Sequence, residues 1–178
     1  MSRRWPFDYD GLIGEGWSGS DPDGAHVNVV LAERGTPTAA ALLTTFTSPA
    51  PGHTPILVVV GDTKDQYEPV WPPTIMINKE TALEPRHQKV TWGAGQTGIA
   101  QGVLDAVAEG LIPASGDLLV FVAIYIDPSA EDETAVRIAS RAATLKGVRT
   151  AREGRGDGAV QALVGRRDDV RNPFYSGS

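Results

Sequence analysis

The sequence of 178 residues contains no cysteine, which excludes disulfide bonds, thiolate nucleophiles and Cys-ligated metals. It also lacks any run close to the roughly 20 consecutive apolar residues that a transmembrane helix requires. Its start, MSRRWPFDYDG, has two arginines but no apolar segment after them, unlike a secretory signal. From these absences we expect a cytoplasmic protein with no membrane partner.

Basic surface and metal-binding patterns are equally scarce. The formal net charge is −6, which argues against a broad nucleic-acid-binding surface. Only three histidines occur, His26, His53 and His87, with no His-x-x-x-His pair and no close His–carboxylate cluster. The common glycine-rich nucleotide-binding motifs are also missing. We therefore expect no metal site and no nucleic-acid partner.

The apolar residues that are present predict strands and helices in alternation. Four segments rich in β-branched and aromatic residues predict strands, at residues 25–32, 55–60, 74–78 and 118–126. A first helix is predicted from Thr36, a good N-cap, and Pro37, which suits the first helical position. A second is predicted over about 96–110, with Gly110 as terminator and an apolar face formed by Ile99, Val103, Val107 and Leu111.

A third helix is predicted after Asp127-Pro128-Ser129. Ser129 is the expected N-cap, with Asp132 three residues further on as in a capping box. The spacing assigns this helix an apolar face formed by Ala135, Ile138, Ala142 and Leu145. Strands separated by helices predict one α/β domain, an α+β two-layer unit in which a mixed sheet is packed with helices.

The domain is predicted to cover residues 12–151. An N-terminal extension, 1–11, precedes it, and an Arg/Gly-rich tail, 152–178, follows it. The mixed charge of the tail favours a mobile, solvated segment, with weak anion binding as the alternative. The loop 61–73 is long, polar and proline-rich and carries Tyr67 and Trp71, so it is expected to line a site or an interface or to be mobile.

His26 is the most informative candidate for chemistry. In the segment GAHVNVV, alternation places Val27 and Val29 on one strand face and His26 and Asn28 on the other. Two polar groups on one strand face predict a small site, and a merely solvated face is the alternative. Since His53 lies in a turn, we expect it to be structural or exposed, and His87, in a charged stretch, to be solvated.

Three further residues are weaker candidates. Lys79 and Thr81 lie at the end of the third predicted strand, where alternation places their side chains on the same face. A lysine at a strand end is nevertheless usually a surface residue. Gln96 follows Gly93-Ala94-Gly95 at a predicted helix start, where backbone N–H groups could face a ligand. A simple tight turn with Gln96 as a capping residue is the alternative interpretation.

Taken in order, a set of short motifs resembles the formaldehyde-activating enzymes of methylotrophs and methanogens. The match extends from about residue 12 to 151. The motifs are Gly14-Glu15, Ala25-His26, Arg34-Gly35-Thr36-Pro37, Pro51-Gly52-His53-Thr54-Pro55, Asn78-Lys79, Gly93 with Gln96, Ala108-Glu109-Gly110-Leu111-Ile112-Pro113 and Ala143-Thr144-Leu145-Lys146.

The resemblance implies a fold like that of ribosomal protein S5 domain 2, a homopentamer with sites between subunits, and a hydro-lyase (carbon–nitrogen lyase) activity. The implied reaction condenses formaldehyde with tetrahydromethanopterin, the co-substrate, to methylene-tetrahydromethanopterin and water, without a metal or a covalently bound cofactor. It implies His26 as the catalytic general acid. The pterin contacts that it implies are Leu57, Lys79, Thr81 and Gln96, with Asn28 beside them.

This sequence departs from the family pattern near the implied site. Asn28 stands where the family usually has aspartate, and an amide can hydrogen-bond but cannot accept a proton. The loop 61–73 is longer than usual, and the glycine-rich turn reads Gly-Ala-Gly-Gln instead of Gly-Pro-Ala-Gln. Three hypotheses remain: the condensing enzyme, a non-catalytic pterin or one-carbon binding protein, and an enzyme of this fold acting on another carrier or aldehyde.

Overall fold

A computed structural model describes residues 8–173. Most of the predicted N-terminal extension (residues 1–7) and the end of the predicted tail (174–178) lie outside the described residues. The strands are β1 Leu12–Ser18, β2 Ala25–Glu33, β3 Ile56–Leu57, β4 Val59–Val60, β5 Glu68–Pro69, β6 Thr74–Asn78 and β7 Leu118–Ile126. The α-helices are α1 Pro37–Leu43, α2 Pro85–Lys89, α3 Gln96–Ala108, α4 Glu133–Glu153 and α5 Asp157–Gly165.

Five of these strands form one mixed sheet in the order β1-β2-β7-β6-β3. All neighbours pair antiparallel except β6 and β7, which are parallel. The predicted single α/β domain with a mixed sheet packed by helices is confirmed. In the described part of the chain, no helix is both long enough and apolar enough to cross a membrane.

Three of the four predicted strands are confirmed, and the fourth is interrupted. The run 55–60 is divided into β3, which joins the main sheet, and β4, which pairs with β5 from the loop 61–73. Between them, the buried Val58 donates its N–H to Thr74 O and accepts at its carbonyl from Val70 N–H. Val58 therefore bonds to the main sheet through its N–H and to the residue after β5 through its carbonyl. The chain leaves the main sheet at this point and begins the small hairpin.

One layer of helices covers one face of the sheet. Helix α4 packs on β1 and β2, and α3 packs on α4. The approach is close because of glycines: a Cβ on Gly14 would overlap the Gly147 carbonyl oxygen, and a Cβ on Gly16 would overlap that of Ala143. The same glycines weaken the strand pattern of residues 12–18, so the sequence predicted no strand there.

The prediction for α4 was wrong in its start and in its apolar face. Its N-cap is Asp132, whose side chain accepts from the N–H groups of Thr134 and Ala135, whereas Ser129 bonds to Asp127. Ile138 is 54% exposed. The buried face is built mostly from small residues, because it must approach a glycine-bearing strand and α3: Val136, Ala139, Ser140, Ala143, Thr144, Gly147, Val148 and Ala151.

The other helices follow their predictions more closely. Thr36 caps α1 by accepting from the Ala39 N–H, with Pro37 at the first position. Ile99 and Val103 are buried in the core, and Gly110 has the positive φ expected of a residue that ends a helix. The predicted tail begins inside α4, which continues to Glu153 and is followed by the mostly exposed helix α5.

Candidate functional site

The face of the sheet that α3 and α4 do not cover, here called the open face, carries the candidate site. Alternation along β2 is as predicted: Val27 and Val29 are fully buried against the helix layer, while His26 and Asn28 are partly exposed on the open face. In β1, Trp17 lies opposite His26 and Glu15 lies opposite Asn28. On the other side of β2, Tyr125 of β7 lies opposite His26.

Four polar side chains are hydrogen-bonded to one another there and are called the open-face cluster: Glu15, His26, Asn28 and Lys79. Lys79 follows the last residue of β6, and its Nζ lies 2.6 Å from His26 Nδ1 and 3.0 Å from Asn28 Oδ1. The other ring nitrogen, His26 Nε2, lies 2.8 Å from Glu15 Oε2. The imidazole is therefore held between a lysine and a carboxylate.

The chemistry of the lysine fixes the proton positions in the cluster. An ammonium group has three N–H donors and no acceptor, so the charged Lys79 donates to Nδ1 of His26 and to the Asn28 carbonyl oxygen. His26 is then the neutral tautomer with its proton on Nε2, and this N–H donates to Glu15. The cluster thus holds a donating Nε2–H on the exposed side of the sheet.

Lys79 is perturbed in the direction that makes it a better acid. Burial lowers the pKa of Lys79 to about 8, because the half-buried ammonium loses hydration, and the nearby Glu15 carboxylate opposes the change. Its neighbour Asn28 offers an uncharged oxygen and leaves the ammonium without a close counter-ion at that position. A lysine whose pKa is lowered in this way is more typical of functional sites than of exposed surfaces.

Trp17 completes the cluster on its outer side. Its ring centroid lies 6.2 Å from that of His26, the planes are tilted by 40°, and the residue is 37% exposed. Neither Trp17 nor Glu15 was among the candidates from sequence. Two signals in the sequence pointed toward them: the family-like motif Gly14-Glu15, and the weak alternation of β1, in which Glu15 and Trp17 share parity.

The remaining predicted contacts lie elsewhere in the protomer. Thr81 Oγ1 bonds to His53 Nε2, and Nδ1 of that histidine bonds to the Asn78 carbonyl, so His53 is structural as predicted. Leu57 is 40% exposed and lies on β3 at the sheet edge, three strands from His26, a lateral separation of roughly 14 Å. These residues therefore do not touch the open-face cluster.

Gln96 belongs to the helix layer. Its Oε1 accepts from the Val59 N–H and its Nε2 donates to the Trp92 carbonyl, so both ends of the amide are engaged. Its neighbour Gly95 packs against Ile124 and Ile126, which face the helices. Gln96 and His26 thus project from opposite sides of the sheet, and Gln96 borders a separate cavity of about 350 Å³ with Trp92 and Tyr67.

Two predictions about local environment were wrong. Residues 93–96 form no tight turn, because a π-helix, Val90–Gly95, joins α2 to α3 without a break. Their N–H groups are therefore not at a helix start. His87 is 3% exposed instead of solvated, and its Nε2 lies 3.1 Å from the Ile126 carbonyl oxygen. The charged neighbours of His87 concealed that it is the inward-facing residue of α2.

The fold and the cluster together define a two-layer α/β protein with a hydrogen-bonded group of titratable side chains on its open sheet face. The model of the formaldehyde-activating enzyme family matches residues 13–175 of this chain. The chain is 30% identical over 165 residues to the 5,6,7,8-tetrahydromethanopterin hydro-lyase of Methanosarcina barkeri, covering 92% of this chain and 89% of that protein. The chain belongs to the formaldehyde-activating enzyme family.

Longer relatives contain a matching segment. The chain is 30% identical over 145 residues to a protein of Methanothrix thermoacetophila named bifunctional enzyme Fae/Hps, and 31% identical over 145 residues to one of the same name from Methanococcoides burtonii. Each alignment covers 80% of this chain and 36% of the relative. The chain therefore spans only about a third of those proteins, in contrast to nearly all of the hydro-lyase.

Proposed function

We propose that this chain condenses formaldehyde with tetrahydromethanopterin, or a related reduced pterin, to give the methylene derivative and water. The observation that carries the proposal is the open-face cluster, in which His26 is held between Lys79 and Glu15 with a proton on its exposed ring nitrogen. The hydro-lyase named for the Methanosarcina barkeri relative supplies the reaction.

The proposed role of His26 is that of general acid. Formaldehyde first adds to a pterin nitrogen, and the hydroxymethyl group that results must lose its oxygen to form an iminium. Protonation of that oxygen by His26 Nε2–H lets it leave as water, an effect worth roughly 10²- to 10⁴-fold in rate. For this step Glu15, which is 57% exposed, must move off Nε2 and make room for the substrate hydroxyl.

We propose that Asn28, Leu57, Lys79, Thr81 and Gln96 bind the pterin. Since Gln96 and His26 project from opposite sides of the sheet, the proposal requires Gln96 of a neighbouring subunit to complete the site. A homopentamer fits this requirement. The open face also has apolar surface to bury, because Ile13 is 70% exposed and Leu57 is 40% exposed.

A second candidate function is an enzyme of the same family acting on another carrier or aldehyde, or a paralogue that only binds the pterin. The observation that favours this group is Asn28, because an amide at that position leaves Lys79 with no carboxylate partner from β2. The segment of the hairpin that β4 forms with β5 also lines the cavity at Gln96, so its shape affects which carrier fits there.

The test is an absorbance assay in which the purified chain is mixed with formaldehyde and either tetrahydromethanopterin or tetrahydrofolate. The spontaneous condensation without protein is subtracted. Acceleration with tetrahydromethanopterin supports the first proposal, and acceleration with tetrahydrofolate alone supports a different carrier. Binding of a pterin without acceleration identifies the non-catalytic paralogue. The absence of both binding and acceleration rejects condensation of formaldehyde with either carrier, and the same assay is then repeated with other aldehydes.

A further inference from the structure

Both ring nitrogens of His26 have hydrogen-bond partners, and this arrangement constrains how the histidine can act as an acid. A neutral imidazole that loses the proton on Nε2 would become an imidazolate, which is too basic to form at neutral pH unless Nδ1 gains a proton in the same step. The group in contact with Nδ1 is the Lys79 ammonium, 2.6 Å away. Among the described residues, the hydrogen-bond partner of Nδ1 is therefore itself a proton donor.

We infer that Lys79 is the proton source for the condensation, acting through His26, and that Glu15 is the base that returns the proton. This inference rests on the proposed function. As His26 Nε2–H protonates the departing hydroxyl group, Lys79 Nζ transfers a proton to Nδ1 and becomes neutral. Lys79 acts through the imidazole in this role, and His26 is the group that contacts the reacting oxygen.

The proton and charge balance closes over one turnover. In the first half, the C–O bond breaks, the oxygen leaves as water with the Nε2 proton, and the nitrogen lone pair forms the iminium C=N bond. In the second half, the second pterin amine bonds to that carbon, the π electrons return to the first nitrogen, and the amine proton passes to the Glu15 carboxylate. Glu15 then protonates Nε2, and Nδ1 returns its proton to Lys79.

The electrostatics of the cluster favour this sequence. The positive charge passes from Lys79 to the iminium while the net charge of the site stays constant, and Glu15 remains an anion beside the iminium. Burial of Lys79 lowers its pKa to about 8. This brings the pKa of the lysine closer to that of an imidazole, which makes proton transfer between the two groups easier. The bond from Lys79 to Asn28 keeps the ammonium aimed at His26.

Other titratable groups face Lys79 from the neighbouring strands. Glu15 faces it from β1, His26 from β2, and Tyr125 from β7, with Glu80 next to it in the chain. Burial and the nearby carboxylates, Asp127 and Glu80 foremost, raise the pKa of Tyr125, so its phenol stays neutral. Lys79 is therefore the group to which a loss of activity above pH 8 would be assigned.

The experiment compares Lys79→Arg with Lys79→Met in the condensation assay. Arginine keeps the charge and donates hydrogen bonds but does not release its proton at neutral pH, whereas methionine keeps only the stem. The relay predicts that both variants lose about 10²-fold in kcat. A positioning or charge role for Lys79 predicts that the arginine variant retains most of its activity, and that result would overturn the relay. Lys89→Arg, at an exposed ion pair with Glu133, is the matched control and should be fully active.

A second measurement does not depend on turnover. NMR titration of the wild type should show the Lys79 side chain losing its proton near pH 8. The neutral imidazole of His26 should be the Nε2–H tautomer while Lys79 is charged. In Lys79→Met, the free Nδ1 should allow both tautomers. A Lys79 that titrates at the usual value for lysine would overturn the inference even if the enzyme is active. Normal Lys79 and His26 signatures in a chain that accelerates no condensation would instead overturn the proposed function, and with it the reaction assigned to the relay.

The carboxylate is tested with Glu15→Gln and Glu15→Asp. Glutamine can still accept the hydrogen bond from Nε2–H but cannot accept a proton, whereas aspartate can do both from a shorter stem. We expect glutamine to lower kcat with little change in KM, and aspartate to restore part of the loss. Equal activity of Glu15→Gln and the wild type would remove Glu15 from the relay.

Discussion

The two faces of the sheet differ in how they are built, although the same strands supply both. On the helix-covered face, Val27, Val29, Val122 and Ile124 are fully buried. On the open face, His26, Asn28 and Tyr125 alternate with them and are partly exposed. Because side chains of a strand point alternately to its two sides, stability and chemistry are assigned to different residues of the same strand. Substitutions on the two faces should therefore have separable effects.

The helix-covered face should give the larger loss of stability. Gly14→Ala places a methyl group on the Gly147 carbonyl oxygen and the Ala151 backbone, neither of which can rotate away as a flexible side chain could. Overpacking of this kind costs about 3 kcal/mol of unfolding free energy or more. Urea unfolding followed by circular dichroism measures the change.

The matched control is Gly158→Ala in α5, where the added methyl group meets no atom within 4 Å. It should be neutral or slightly stabilising, since alanine is favoured over glycine in a helix. If Gly14→Ala were as stable as this control, then α4 would not pack on β1 closely enough for a Cβ at Gly14 to overlap the Gly147 carbonyl oxygen.

On the open face, His26→Ala should lower activity strongly and change stability little. Removal of the proposed acid is expected to lower the catalysed rate by about 10²-fold or more, while the unfolding free energy changes by about 1 kcal/mol at most, because the side chain is partly exposed and outside the core. The condensation assay and the same urea titration measure both. Near wild-type turnover would mean that His26 is not the acid, and an unfolded variant would mean that the residue is structural.

The separation of the two faces explains how much of the site could be predicted from the sequence. The pairing of His26 with Asn28 followed from alternation in one uninterrupted β-branched run. Parity at the end of β6 made Lys79 only a weak candidate, and the family resemblance assigned it to the site. Glu15 and Trp17 could not be found in this way, because Gly14 and Gly16 replace the apolar residues that mark a strand. The two glycines are explained by a long-range contact: they allow α4, which is distant in sequence, to pack closely on β1.

The errors in the helices have a related cause. Helical periodicity was applied to α4 through its large residue Ile138, but the contact with a glycine strand selects alanine, serine and glycine for the buried side. His87 was assigned to solvent from its charged neighbours, whereas its position within α2 directs it toward the Ile126 carbonyl. Local pattern predicts which residues share a face, and only the packing partner decides which face is inside.

A smaller and more specific effect is expected from Asn28→Asp. A carboxylate beside Lys79 favours the ammonium form, so the pKa of Lys79 should rise above its present value of about 8. Since the active form carries the proton, wild-type activity should fall as the pH rises through about 8, and the variant should keep its activity to higher pH. If the chain is a diverged condensing enzyme, its rate with tetrahydromethanopterin also increases.

The pH dependence of stability provides an independent check on this variant. The folded pKa of Lys79 lies below the unfolded value near 10.5, so the unfolded state binds more protons between these pH values and stability rises with pH across that window. The rise should be smaller in Asn28→Asp. Asn28→Ala, which removes the amide without adding charge, is the control. Lower activity of Asn28→Asp at every pH would mean that the pocket is adapted to the amide and to another carrier.

The smallest expected effect concerns assembly. Trp71 is 48% exposed in the loop 61–73, where its ring packs over Gly116, and we expect this loop to contact a neighbouring subunit. Light scattering after a sizing column should show a particle several times the 18.9 kDa monomer mass, and Trp71→Ala should shift it toward smaller species at low concentration. Ile138→Ala, at a similarly exposed apolar residue on α4, should leave the mass unchanged.

A wild-type monomer at micromolar concentration would reject the shared site, because Gln96 would then have no second subunit through which to meet His26. An unchanged oligomer in Trp71→Ala would remove only the loop from the interface.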